Sequence, residues 1–179
     1  MMVSMRIAQG VFTSVVDNHA GWRANWAWGL PLIVLTVLIH VSGLGLMMQT
    51  ALRVSGPTIH HRHPRTVFLT VIGSMTLLAT FLHATEASIW GVAYRLLGAL
   101  PDNRSAMLYS LNAITSYGHA ELNLEKHWQL MGALEALNGW LLFGLTTAFL
   151  FVVVQRDWGM HNARVHPKVG SPGHNGMLH

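Results

Sequence analysis

Three long apolar stretches dominate the chain. The first runs from Trp28 to Met48 without a formal charge. At a helical rise of about 1.5 Å per residue it is about 31 Å long, enough for the roughly 30 Å hydrocarbon core of a bilayer. Pro31 falls in the first turn of this stretch, where a missing N–H costs little. The second begins at Thr66 and is free of charge up to Leu82. It continues as a more polar helix through His83, Glu86 and Trp90 to Leu97, so it tilts or extends past the bilayer. The third runs from Trp128 to Val154, with Glu135 its only formally charged residue. Trp26, Trp28, Trp90, Tyr94, Trp128 and Trp158 stand near the ends of these stretches, where amphipathic rings favour the headgroup level. The pattern predicts an all-α membrane protein with three transmembrane helices.

Between the second and third stretches the pattern changes. Pro101-Asp102-Asn103 reads as a turn, and Asn103 or Ser105 can cap a short helix over residues 104–114. That helix is too short to cross a bilayer. A polar run with no helical period follows at once, Thr115-Ser116-Tyr117-Gly118-His119-Ala120-Glu121. A short apolar helix followed by polar extended backbone between two spans predicts a re-entrant loop. Such backbone survives at membrane depth only where it lines water or is buried in protein.

Composition agrees with a membrane location. Of 179 residues, 51% are hydrophobic and 10% charged, against about 25% charged in an ordinary soluble domain. One domain is expected at this length. The net charge of +4 comes with eleven basic residues scattered between apolar stretches, a poor phosphate-binding face, so nucleic acid is not an expected partner. Residues 1–27 form an N-terminal segment, and Gln9, Asp17, Asn18 and His19 interrupt any signal-peptide core. The loop 49–65 carries Arg53, Arg62 and Arg65, and the tail 155–179 carries Arg156, Arg164 and Lys168 and reads as flexible. Three spans put loop and tail on one side, which the positive-inside rule makes cytoplasmic in the cell membrane. Arg6, Arg23, Arg95, Arg104 and Lys126 narrow that margin from the other side. Cysteine is absent, which excludes disulfides and thiolate metal sites.

The run from Leu108 to Leu122, ending Thr-Ser-Tyr-Gly-His-Ala-Glu-Leu, resembles the pore helix and selectivity filter of the potassium-channel superfamily, whose consensus ends TxTTVGYGD. The resemblance covers residues 66–154 and leaves the span 28–48 peripheral. It implies an outer helix over 66–97, a pore helix over 104–114, a filter over 115–121 and an inner helix over 128–154. It also implies a homotetramer in the lipid bilayer, each subunit giving one pore loop. The ion-binding filter would comprise Thr115, Ser116, Tyr117, Gly118, His119 and Ala120, with backbone carbonyls replacing the ion's hydration shell and the Ser116 hydroxyl closing the inner end. Glu121 and Glu125 would form an acidic mouth, and Gly139 and Gly144 would be hinges or close-packing points. Ala113 stands where the family has its first Thr, Tyr117 where it has Val, His119 where it has Tyr, and Ala120 where it has its second Gly. These departures imply weaker discrimination of potassium from sodium.

Ionisable residues inside apolar spans mark functional or structural sites. His83 and Glu86 share a helix face at i, i+3, His40 lies in the first span and Glu135 in the third. Glu135 suits a structural role behind the filter. The cluster His60-His61-Arg62-His63 reads as a solvated basic loop, with metal or anionic lipid as its sharper alternatives. The expected function is a passive channel for monovalent cations, potassium foremost. It would be no enzyme and would take no cofactor beyond the permeant ion and no small-molecule substrate. Two alternatives are a membrane metal- or haem-binding protein built on His40, His83, Glu86 and Glu135, and a non-conducting assembly subunit. The first span lacks the arginine series of a voltage sensor.

Overall fold

The computed structural model describes the backbone of residues 2–54, 64–118 and 122–165, and the side chains of 21–53, 66–118 and 122–156. The His60-His61-Arg62-His63 cluster, the filter residues His119, Ala120 and Glu121, and most of the tail with Lys168 lie outside the described residues. Among the described residues four helices follow in order: α1 (Met2–Val54), α2 (Pro64–Leu96), α3 (Asn103–Ile114) and α4 (Gln129–Val165), the last entered through a 3₁₀ turn at Lys126–Trp128. Among the described residues there is no strand. Among the described residues three segments are long and apolar enough to cross a membrane, Gly21–Arg53, Thr66–Leu96 and Lys126–Arg156.

The first helix begins well before Trp28, so Pro31 lies inside α1 and not in its first turn. A charge-free window finds the bilayer segment but not where the helix starts. The stretch before Trp28 is held by Asn25, whose amide donates to the His127 carbonyl at 2.5 Å and accepts from the Met131 N–H at 2.9 Å. That last contact satisfies one of the N–H groups that open α4 without an intrahelical partner.

The short helix α3 starts on Asp102, not on Asn103 or Ser105. Asp102 is extended (φ −145, ψ 162), and its carboxylate accepts from the Ser105 N–H at 2.9 Å and the Ser105 hydroxyl at 2.7 Å. The backbone N–H lowers the Asp102 pKa more than any other contact, because it stabilises the ionised form. The helix then packs between α2 and α4. Ala106, Tyr109 and Ala113 of α3 share one buried cluster with Trp90 and Tyr94 of α2 and with Trp128, Met131 and Leu134 around the start of α4.

Small residues let these helices approach closely, as is common where membrane helices meet. The Ile114 carbonyl, at the end of α3, lies against Gly139 of α4, where a Cβ would collide with backbone. A Cβ at Gly132 would meet the Tyr109 phenol, and at Gly91 the α3 backbone near Ala106. Around Gly144 there is open space within the chain.

The outer faces are apolar. Phe81 of α2 is 73% exposed, and on α4 Trp140 is 72% and Phe143 69% exposed. Contiguous apolar surface of this kind on a soluble monomer would be unusual and suits contact with lipid or with other subunits. Gly139→Ala is expected to destabilise the protein by about 1–3 kcal/mol through overpacking against the Ile114 carbonyl. Gly144→Ala should change the unfolding temperature in detergent little, and equal losses from both would contradict the seat assigned to α3.

Candidate functional site

The end of α3 and the chain that leaves it carry the residues proposed for the filter. The helix closes in a Schellman arrangement: the Tyr117 N–H donates to the Asn112 carbonyl and the Ser116 N–H to the Ala113 carbonyl, each at 2.9 Å. Ser116 takes the left-handed position at φ +54, where a glycine is usual. A Cβ there costs about 1–2 kcal/mol. The Ser116 hydroxyl accepts from the Trp140 indole N–H at 2.9 Å, which ties this corner to α4. The Thr115 hydroxyl turns back onto the Leu111 carbonyl at 2.7 Å. Tyr117 is 83% exposed, and Gly118 follows at φ +88. In the single chain, then, residues 115–118 are held from behind by α4 and face outward.

Glu135 sits beneath α3 and is fully buried. Tyr94 of α2 donates to its Oε2 at 2.6 Å, and the Ser110 hydroxyl of α3 contacts its Oε1. The Ser110 hydroxyl also lies 2.6 Å from the Ala87 carbonyl of α2. Three contacts need three protons, and Tyr94 and Ser110 supply two. The single Ser110 proton serves either Glu135 or the Ala87 carbonyl; a carboxyl O–H donating to Ser110 would satisfy all three contacts, in one chain from Tyr94 to Glu135, to Ser110, to the Ala87 carbonyl.

A second polar group joins α1, α2 and α4. His40 Nδ1 lies 2.8 Å from Glu86 Oε1, and both side chains are fully buried. His83 Nδ1 lies 3.4 Å from Glu86 Oε2. The Thr146 hydroxyl is 3.0 Å from His40 Nε2 and 3.1 Å from His83 Nε2. The two imidazole rings are tilted, their centroids 5.0 Å apart. His40, His83 and Glu86 offer donor atoms within 4.8 Å of one another, a set that can hold a metal ion. Glu135 belongs to the other network and does not join them.

The remaining expected site residues fall apart from both networks. Glu125 is exposed, with His127 at 3.7 Å. Gly139 is a close-packing point and Gly144 borders open space. Sequence reasoning missed Asn25, Thr36, Ser110, Asn138 and Thr146, all buried polar residues. The signal was present as spacing: Glu135, Asn138, Leu142 and Thr146 follow one another at helical intervals on α4, and Asn25, Thr36 and His40 do so on α1. Asn138 donates to the Thr36 hydroxyl at 2.8 Å, linking the two stripes.

The chain matches no protein-family model, no curated protein and no solved structure.

Glu135→Gln keeps one donor and one acceptor in place, and its expected cost is within about 1 kcal/mol. Glu135→Ala strands Tyr94 and Ser110 and opens a cavity, at a cost of about 2–4 kcal/mol. Thermal unfolding in detergent measures both; a glutamine variant as damaged as the alanine variant would contradict the proton chain.

Proposed function

We propose that the chain is a subunit of a passive channel for monovalent cations, working as a homotetramer in the cell membrane. The observation that carries the reading is the seat of α3. This helix is too short to span a bilayer, is lodged between two spanning helices, and ends in exposed residues 115–118 braced by Trp140. Its carboxyl end carries the negative end of the helix dipole, so four copies around an axis favour a cation there. One chain supplies a quarter of a carbonyl ring, and the exposed apolar face of α4 around Trp140 and Phe143 offers a surface for neighbouring copies.

In this reading the first span is peripheral, α2 is the outer helix and α4 the inner helix. Glu121 and Glu125 draw cations to the mouth, and the loop 49–65 and the tail face the cytoplasm. The reaction is diffusion, with no bond made or broken and no cofactor other than the ion in transit. His119 and Ala120 in place of the family's Tyr and Gly weaken the preference for potassium over sodium.

Protein reconstituted in liposomes should pass potassium and, less selectively than the family norm, sodium, while excluding large organic cations. Gly118→Val places a β-branched residue at a positive φ, which strains the segment, and should reduce flux at least about tenfold. Absence of cation flux from a correctly folded, reconstituted oligomer would overturn the proposal.

A further inference from the structure

The polar group on α1, α2 and α4 forms a closed ring of four side chains, and its protons do not add up. The ring runs from Glu86 Oε1 to His40 Nδ1, from His40 Nε2 to Thr146 Oγ1, from Thr146 Oγ1 to His83 Nε2, and from His83 Nδ1 back to Glu86 Oε2. A neutral imidazole has one N–H and one bare nitrogen. The Thr146 hydroxyl has a single proton, so it can donate to only one of the two rings. The other ring must donate its Nε2–H to Thr146, which leaves its Nδ1 as a lone pair facing a Glu86 oxygen.

The distances identify the open side. His40 Nδ1 is at hydrogen-bond distance from Glu86 Oε1, 2.8 Å, whereas His83 Nδ1 and Glu86 Oε2 stand 3.4 Å apart. Glu86 Oε2 is buried without a hydrogen-bond partner. Two electron-pair donors therefore face each other across a gap, in a membrane span, with one net negative charge between them. A cation is the missing element.

We propose that this ring is a binding site for a divalent transition-metal ion of the zinc class, with His40 Nδ1, His83 Nδ1 and the Glu86 carboxylate as ligands. Bonds of about 2.0–2.2 Å in a tetrahedral arrangement put neighbouring donor atoms about 3.3–3.6 Å apart, the separation found between His83 and Glu86. Imidazole and carboxylate together suit zinc and its neighbours. With both Nδ1 atoms on the metal, both Nε2–H groups donate to the two lone pairs of Thr146. That leaves no imidazole nitrogen without a partner, and it is the outer support that metal-bound histidines ordinarily have. The His83 side chain is 22% exposed, so the ring is open on one side of the chain. The ion would tie the first span to the second and Thr146 would hold it from the third. The site stands whether or not the chain conducts ions.

The test uses the full chain without a polyhistidine tag, with His60, His61 and His63 changed to Ala to remove competing loop ligands. The protein is purified in mild detergent, exposed to zinc, dialysed and analysed for metal, and separately loaded with cobalt(II). Retention of about one zinc per chain is expected, together with the visible absorption of tetrahedral cobalt. His83→Gln and Glu86→Gln should each weaken binding at least about tenfold while the particle stays monodisperse. Should both variants fail to fold, the metal content and cobalt spectrum of the parent decide alone. No retained metal and no cobalt bands in the parent would overturn the proposal and leave a proton as the cation of the ring. Binding that survives both substitutions in folded protein would overturn it too. Neither readout depends on ion flux, so failure here is distinct from failure of the channel reading.

Discussion

The Glu135 carboxyl accepts from Tyr94 of α2 and meets Ser110 of α3, and it is carried by α4. It is the point at which the two spanning helices and the short helix are joined, and α3 depends on it. In lipid there is no hydrophobic drive to hold one apolar helix against another, so packing and interhelical hydrogen bonds must do so. A helix of one dozen residues cannot fix its own position by spanning. It is fixed because its far end rests on Gly139, its middle is bonded to Glu135 through Ser110, and its start is capped by Asp102.

From that anchor the rest of the arrangement follows. With α3 held from behind, the residues after it are free to face away from the chain, and the Schellman turn at Thr115–Tyr117 directs them there. Trp140 sets the corner by bonding Ser116. The His40–Glu86–His83–Thr146 ring lies along the same helices but serves the opposite join, between the first span and the other two. Two buried polar centres thus help hold a bundle that exposes many large apolar side chains. One centre positions the short helix, and the other, together with the Asn25 and Asn138 contacts, attaches α1.

Much of this was legible in the sequence because a charge-free apolar run as long as a bilayer is thick is at home in little else than lipid. The three spans, the brevity of α3 and the turn at Pro101 came from hydropathy and local residue chemistry. Boundaries were less legible: α1 starts far before Trp28 because helical backbone continues where hydropathy falls off, and Asn25 docks that part on α4. The pairing of His83 with Glu86 could be read from their i, i+3 spacing, whereas the arrival of His40 and Thr146 could not, since nothing local relates residues on different spans. The buried stripes on α1 and α4 were written in the spacing of Asn, Thr and His, but they register only when polar residues are tracked with the periodicity usually reserved for apolar ones. The resemblance to potassium channels rests on residues 108–122, and three of them, His119, Ala120 and Glu121, lie outside the described residues.

The central claim is that residues 115–118 line a path for cations. The absence of cysteine makes it directly accessible to a single substitution, Tyr117→Cys, at an exposed position immediately beyond α3. A membrane-impermeant, positively charged thiol reagent is applied while current is recorded across a planar bilayer. The account expects modification to block the current and permeant cations to slow the modification in proportion to their concentration. Complete modification of the introduced thiol that leaves the current unchanged would contradict it.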